Sequence, residues 1–369
     1  MVGEEATTTR DRRREPAARG QPPPIGKTGA FIAHAMHDQT MDQGHFTQTI
    51  DWLAFTLPEA SVEEITEMIG GDWFQTETGF RGYPISWLTS HGRQGVGKLG
   101  TGAHRKTKEV HVDLSAGIVS TWPEAKVRTV LAWIFEQRGH VTRLDVALDD
   151  RQALVAVVTV KAAVDAGQAV TRSQKFQAVA ASNLKDGTAR GETLYFGSRE
   201  SQTMLRVYDK RLEMEQKGRE EAKDFGVRWE LELKQDRAQA CAKALINLEP
   251  EDWRELLVGI LRSYVDFRET SREAEPWEKY RAPLLPWWQA LTEGFKRCRL
   301  VIQKVQQTIE TVCQWLGKSV SAMLALVYRR RGEQFLKDLI VIGTQKWKAK
   351  HLALLNEGPE KTPYVLRPA

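Results

Sequence analysis

Long apolar runs are missing from this chain. No window approaches the ~18 uninterrupted apolar residues of a membrane-spanning helix. No transmembrane helix is therefore expected, and the N-terminus has no apolar core of a secretory signal. Cysteine is scarce. Cys241, Cys298 and Cys313 are the three among 369 residues, and their wide spacing fits neither a disulfide framework nor a zinc pattern. A reducing cytoplasm is the expected compartment. Net charge is also low, +5, so polyanion-binding character has to lie in how the charge is distributed. What is present is 41% apolar and 27% charged residues, the composition of a soluble globular protein long enough for two domains with cores.

The charge is uneven. From Leu291 to Ala369 there are 14 Lys and Arg against 6 Asp and Glu, a net of +8; the other 290 residues carry 39 against 42, a net of −3. A polyanion-binding element and a solvated helical surface both fit this asymmetry.

Residues 1–45 read as a disordered tail rich in Arg, Pro and Gly, with Arg10, Arg12, Arg13 and Arg14 balanced by acidic neighbours. Residues 46–250 alternate strands with a few helices. "HFTQTIDWLAFTL" reads as a strand, and "SVEEITEMIG" as a helix with a Ser61/Glu64 capping box and Gly70 at its end. "EVHVDLS" reads as a strand. "PEAKVRTVLAWIFEQRG" reads as an amphipathic helix ended by Gly139, and residues 151–180 as mixed, partly helical. "ETLYFGSRESQTMLRVYDK" is expected to be a hairpin turning near Gly197 and Ser198. Residues 251–369 show no strong strand pattern. Leu291, Phe295, Cys298, Ile302, Val305, Ile309, Val312, Leu316, Val320 and Met323 recur at helical spacing, with a break expected near Gly317. "PWEKYRAPLLPWWQALTEG" reads as a junction.

"GRQGVGKL", residues 92–99, nearly matches a phosphate-binding loop but has Leu99 where the hydroxyl belongs, and a strand rather than a helix follows. A basic loop is expected instead, with Lys98, Arg105, Lys106 and Lys108 available to a phosphate backbone.

Three strands carry the chemistry. "TRLDVALDD" places Arg143, Asp145, Ala147 and Asp149 on one face. "MLRVYDK" places Arg206, Tyr208 and Lys210 together, and "VRWELELK" places Arg228, Glu230, Glu232 and Lys234 together. Each has an apolar opposite face. A half-solvated antiparallel sheet would look like this. The combination, however, supplies hard oxygen ligands for Mg²⁺ or Mn²⁺ in Asp145, Glu230 and Glu232. It supplies phosphate clamps in Arg143, Arg206, Arg228 and Lys210. Tyr208 supplies a phenolic oxygen that can attack phosphorus, with its pKa expected to be lowered by the cations beside it. These are the parts of a tyrosine-dependent DNA nickase.

"RLDVALDD", "TLYFGSRES", "LRVYDK" and "RWELELK", in this order and spacing, resemble the Rep_trans family of rolling-circle replication initiators and related mobilisation relaxases. "IDWLAFTLP" and the Trp-rich C-terminal part resemble its phage-type members, and the likeness spans about residues 46–350. The resemblance implies an α+β fold: a mostly antiparallel sheet related to the HUH endonucleases, flanked by helices and followed by a helical C-terminal region. It implies a nicking and strand-transfer domain over 46–250, with Tyr208 becoming linked to a 5′ phosphate and a 3′-OH left as primer. It also implies a divalent metal, Mg²⁺ or Mn²⁺, and as partners origin DNA (double- and single-stranded), a host helicase and replication machinery, and a homodimer. Tyr208, Asp145 and Glu230 match the family positions. The paired-His motif of standard HUH enzymes is absent, since His111 and His140 form no His-x-His. A carboxylate site is inferred, its third ligand open between Glu232, His111 and Asp51. Tyr195, in the hairpin's other strand, is the rival nucleophile. Asp149 and Asp150 are expected to end their strand and cap the next segment. Arg143, Arg228, Lys98 and Lys106 are the expected DNA-phosphate contacts, and residues 251–369 a DNA-binding or dimerisation element.

Overall fold

The protein is described by a computed structural model covering residues 46–90, 96–103, 106–300 and 309–355. The expected tail of residues 1–45, the glycine-rich residues 91–95 and Arg105 lie outside the described residues. The strands are β1 (Phe46–Leu57), β2 (Trp73–Thr76), β3 (Ile85–Ser90), β4 (Val96–Ala103), β5 (Lys106–Leu114) and β6 (His140–Asp150). They continue as β7 (Ala169–Thr171), β8 (Phe176–Ser182), β9 (Ala189–Phe196), β10 (Thr203–Asp209), β11 (Val227–Lys234) and β12 (Val265–Phe267). The helices are α1 (Val62–Ile69), α2 (Ala116–Val119), α3 (Glu124–Glu136), α4 (Val157–Asp165), α5 (Lys210–Gln216) and α6 (Asp236–Ile246). After them come α7 (Trp253–Tyr264), α8 (Pro276–Arg281), α9 (Pro286–Leu291), α10 (Ile309–Trp315), α11 (Ser321–Thr344) and α12 (Ala349–Leu355).

Ten strands form one sheet in the order β2-β3-β4-β5-β1-β6-β11-β10-β9-β8, and β12 pairs with β7 in a small second sheet. The pairings are antiparallel. This is the expected α+β class: a large antiparallel sheet flanked by helices, with helices at the C-terminal end. Among the described residues no helix is long and apolar enough to cross a membrane.

Alternation divides the sheet into two faces. Leu53, Phe55 and Leu57 of β1 are fully buried with Val112 and Leu114 of β5, Leu144, Val146 and Leu148 of β6, and Trp229, Leu231 and Leu233 of β11. They join the apolar stripes of α3, α6 and α7 in one core. That core runs on past residue 250, where the sequence changes character. Trp253, Phe267 and Trp288 are at most 1% exposed. The Trp288 ring lies 5.0 Å from Trp229 and 5.1 Å from Phe267. The stretch read as a junction thus drives α9 into the core.

Local signals hold where a single turn decides them. At α1 Ser61 Oγ accepts from Glu64 N at 3.1 Å and the Glu64 carboxylate accepts from Ser61 N at 2.9 Å, the expected capping box. The end of α3 differs from expectation. Arg138, not Gly139, takes the left-handed conformation (φ 56°). Gly139 is required by crowding: a Cβ there would lie 2.7 Å from the Ile134 backbone carbonyl oxygen.

Four strands, β2, β7, β8 and β12, were not foreseen. The helical spacing read from Leu291 also fails at its start. Glu293 and Gly294 take positive φ, and the chain then leaves the helix so that Cys298 N donates to Gly259 O at 2.8 Å. A helix resumes at Ile309, passes through a wider π turn over Leu316–Val320, where the break was expected, and bends at Gly332 within α11.

Candidate active site

The face of the sheet opposite the core is charged but not solvated. In the register, Glu232 of β11 sits opposite Asp145 of β6, Glu230 opposite Ala147, and Arg228 opposite Asp149. On the other side of β11, Arg206 of β10 faces Glu230 and Tyr208 faces Arg228. The three sequence motifs therefore meet on one face. Asp145 is 1% exposed, Glu230 3%, Glu232 6% and Arg228 6%. Those values exclude the half-solvated sheet, because buried charges must be paired or must shift their protonation.

The pairs form one network. Arg143 donates from Nε and Nη2 to Asp145 at 2.9 and 2.6 Å, and from Nη2 to Glu232 Oε2 at 3.1 Å. Its guanidinium also lies 4.5 Å from the centre of the Trp52 ring. Arg206 Nη2 donates to Glu230 Oε1 and, at 3.3 Å, to Asp145 Oδ2, with Glu232 Oε2 at 3.9 Å. Its Nε is buried with no hydrogen-bond partner among the described residues. One guanidinium nitrogen is thus ringed by three carboxylates. The Tyr208 hydroxyl donates to the other oxygen of Glu230 at 3.3 Å. Arg228 grips Asp149 at 2.6 and 2.8 Å and Asp51 at 2.9 Å.

Burial sets the protonation of these groups. It pushes Asp145 up to about 6, with the Arg143 ion pair pulling down and Glu232 adding to the rise. It pushes Glu230 up to about 7, opposed by Arg206 and reinforced by Asp51 and Asp145. Glu232 ends below its usual range, because its hydrogen bond to Lys234 and the charge of Arg143 outweigh its burial. The expectation that neighbouring cations lower the Tyr208 phenol is overturned. Burial and the Glu230 carboxylate raise it, and Arg228 only partly opposes them.

Arg143, Asp145, Arg206, Tyr208, Arg228, Glu230 and Glu232 are brought together. Lys210 is not a strand residue as read but opens α5, capped by Asp209, which accepts from Leu212 N at 2.9 Å. It remains near the site, its Nζ 5.9 Å from the Tyr208 ring centre and 2.7 Å from Glu213. Tyr195 of β9 stands directly opposite Arg206, half-buried, with no hydrogen bond from its hydroxyl among the described residues. Lys98 is in strand β4 rather than a loop, three strand positions from β6, with Nζ 5.6 Å from the Phe80 ring centre. The Lys106 side chain lies outside the described residues. His111 bonds Thr56 Oγ1 through Nδ1 at 2.9 Å and stacks on Tyr83, away from the carboxylates. Asp150 caps the next segment as expected, accepting from Gln152 N and Val155 N at 3.2 and 3.1 Å, whereas Asp149 belongs to the network. Asp51 reaches it because of a register shift between Ile50 and Trp52, which simple alternation along β1 conceals. Among the described residues no three His, Cys, Asp or Glu side chains are arranged to hold a metal ion; Asp145, Glu230 and Glu232 are gathered on the Arg206 guanidinium instead.

Comparison with known proteins places the chain in a family. Residues 139–340 match the model of the family described as "Replication initiation factor". The chain is 28% identical over 210 residues to "Putative DNA relaxase NicK" of Bacillus subtilis (strain 168), a match covering 56% of this chain and 58% of that protein. The chain therefore matches little more than half the length of this relative. The fold is similar to that of a rolling circle replication initiator protein from Geobacillus stearothermophilus, with TM-score 0.56 and 22% identity over 70% of this chain and 100% of that one. With Asp145, Arg206, Tyr208 and Glu230 all inside the matched span, the chain belongs to the replication initiation factor family.

Proposed function

We propose that the protein is a metal-dependent, site-specific DNA endonuclease and strand transferase that initiates rolling-circle replication by nicking origin DNA. The observation that carries this reading is the hydrogen bond from Tyr208 to Glu230 within a buried face walled by Arg143, Arg206 and Arg228. Tyr208 is the nucleophile. Its oxygen bonds to the scissile phosphorus as the bond to the 3′ oxygen breaks. The phenolic proton passes to Glu230, and the released 3′ oxygen takes a proton from solvent. A carboxylate pushed up to about 7 is a base matched to neutral pH. Burial keeps the phenol protonated until that transfer.

A phosphodiester brings negative charge into a face already rich in carboxylates, so a cation must accompany it. Asp145, Glu230 and Glu232 all approach the single nitrogen Arg206 Nη2 within 3.9 Å, a donor set whose chemistry suits Mg²⁺ or Mn²⁺. Arg206 has to withdraw for them to hold a metal, and in withdrawing it becomes free to clamp the phosphate together with Lys210. A bound divalent ion would polarise the phosphate and stabilise charge building on it. Arg143 and Arg228 hold the acidic side chains in place, and contact with phosphate requires them to exchange partners.

Origin DNA is the partner in this reading, with a host helicase and replication machinery acting on the nicked product in the cytoplasm. The basic C-terminal region is proposed to bind duplex DNA or to form a dimer contact. α11 supports an interaction role, since it exposes Leu326 (62%) near the basic run Arg329–Arg331 and, past its bend at Gly332, Ile340 (67%). The likeness to a relaxase keeps mobilisation of a conjugative element as a second reading with the same chemistry. A non-catalytic DNA-binding regulator would have no use for a base-paired phenol. Replacing Tyr208 with Phe is expected to abolish nicking and the covalent DNA adduct while sparing DNA binding. An adduct that survives in Tyr208→Phe and is lost in Tyr195→Phe would move the nucleophile to Tyr195, whose hydroxyl has no hydrogen bond among the described residues.

A further inference from the structure

A cavity of about 690 Å³ lies away from the charged face, between the β7–β8 connection, the β9–β10 turn, the end of α7 and residues 298–300. Its size is that of a small-molecule site. Four cations line it: Arg172, Lys175, Arg237 and Arg299. Among the described residues none that lines it is Asp or Glu. Two acids act from outside the lining: Glu200, exposed at the rim, hydrogen-bonded to Ser198 and close enough to Lys175 to feel its charge, and Glu255, whose charge reaches the lining thiol of Cys298. Arg237 donates to the Leu300 carbonyl at 3.3 Å. Arg172, Lys175 and Arg299 form no ion pair or side-chain hydrogen bond among the described residues. That is unlike Arg143, Arg206 and Arg228, each committed to carboxylates.

The rest of the lining is of two kinds. Leu233, Ile260 and Leu300 give an apolar wall, and Ser198, Ser201 and Ser263 give hydroxyls. Uncommitted cations, an apolar surface and hydroxyl donors together match a nucleotide, with its phosphates, its base and its sugar. We propose that this cavity is a nucleotide-phosphate site, filled either by a free nucleotide or by the phosphate-bearing end of a DNA strand. The site is adjacent to the candidate active site through β11. Leu233 is followed by Lys234, whose Nζ reaches Glu232 at 2.5 Å and the Arg199 carbonyl at 2.6 Å. An occupant that orders the β9–β10 turn thereby acts on the cation that tunes Glu232. The site needs no tyrosine chemistry, so it stands or falls separately from the nicking reaction.

The test uses the full chain without added metal and titrates two probes by calorimetry: deoxyadenosine triphosphate, and a 5′-phosphorylated single-stranded tetranucleotide. The variants are Arg172→Ala/Arg299→Ala and a charge-matched control, Lys185→Ala/Lys223→Ala, all four side chains being exposed. Melting curves check that each variant folds. At least one probe is expected to bind the wild type and to bind the Arg172→Ala/Arg299→Ala variant at least tenfold more weakly, with the control unchanged. Loss confined to the triphosphate identifies a free nucleotide, and loss confined to the tetranucleotide identifies a strand end. Loss for both leaves the shared phosphate chemistry established. The proposal is overturned if neither probe binds the wild type, if the cavity variant binds like the wild type, or if the control weakens binding as much as the cavity variant does.

Discussion

Two buried clusters of arginine and carboxylate sit in this molecule, and they are balanced in opposite directions. On the charged face five acids, Asp51, Asp145, Asp149, Glu230 and Glu232, share Arg143, Arg206, Arg228 and the half-buried Lys234, and Asp145 and Glu230 are driven up to about 6 and 7. Near the β12 end of α7, a single acid, Asp266, is fully buried and takes hydrogen bonds from Arg262 at 3.1 Å, Arg268 at 2.9 Å, Arg297 at 2.8 Å and the Trp288 indole at 2.7 Å. There the arginine and indole hydrogen bonds outweigh burial and hold the carboxyl below its usual range. Excess buried acid leaves room for a proton or a metal ion. Excess buried base leaves nothing to exchange and ties β12, α7 and α9 together. The first arrangement suits chemistry and the second suits stability.

The contrast can be broken at several points. The largest effect is expected from Glu230→Gln, which removes the proposed base while keeping its shape. Nicking should fall by about 10²–10⁴-fold in a gel assay on supercoiled DNA, with DNA binding retained. Asp266→Ala should leave the buried Arg262 and the half-buried Arg268 and Arg297 without their shared acid and cost about 3–5 kcal/mol in denaturant unfolding, without a specific loss of nicking per folded molecule. Saturating Mg²⁺ or Mn²⁺, at about 100 times Kd, should stabilise the wild type by about 2.7 kcal/mol. The rise in melting temperature should vanish in Asp145→Asn.

The pH dependences should also have opposite signs. Asp145 and Glu230 have raised pKa values in the folded state, so their contribution to stability is full below the unfolded values of ~4 and is lost as pH rises through about 6 to 7. Asp266 has a lowered value, so its contribution is present above ~4 and is lost as pH falls further. Glu230→Gln should therefore melt higher than wild type at pH 8, by an amount equivalent to about 1–3 kcal/mol, and this advantage should shrink at pH 5. Asp266→Asn should flatten the acid limb of the same curve. A Glu230→Gln advantage that grows toward pH 5 would contradict the assignment of excess acid to the charged face.

Much of the charged face was legible in the sequence because it rests on period-two alternation within single strands. β6, β10 and β11 each show one apolar and one charged side, and Asp145, Arg206, Tyr208, Arg228, Glu230 and Glu232 follow from that. What alternation cannot show is how one strand meets another. Asp51 enters the site through a register shift in β1, and Asp149 does so through its cross-strand partner Arg228. The direction of the Tyr208 shift depends on burial, which a list of neighbouring charges leaves out. β8 was missed because all seven of its residues are exposed on an edge, with no apolar period to read. The Asp266 cluster draws on α7, β12, the segment after β12 and residue 297, whose arginines gave no local sign of a shared acid.

The nucleophile is open to a direct reading. The protein can be incubated with Mn²⁺ and a supercoiled plasmid library, treated with nuclease and trypsin, and the nucleotide-bearing peptide identified by mass spectrometry. Cleavage after Arg and Lys releases Tyr208 in Val207–Lys210 and Tyr195 in Gly191–Arg199, which differ plainly in mass. A nucleotide on the Val207–Lys210 peptide, lost in Tyr208→Phe, is the expected result. A nucleotide on the Gly191–Arg199 peptide, or on neither under conditions that nick the DNA, would contradict it.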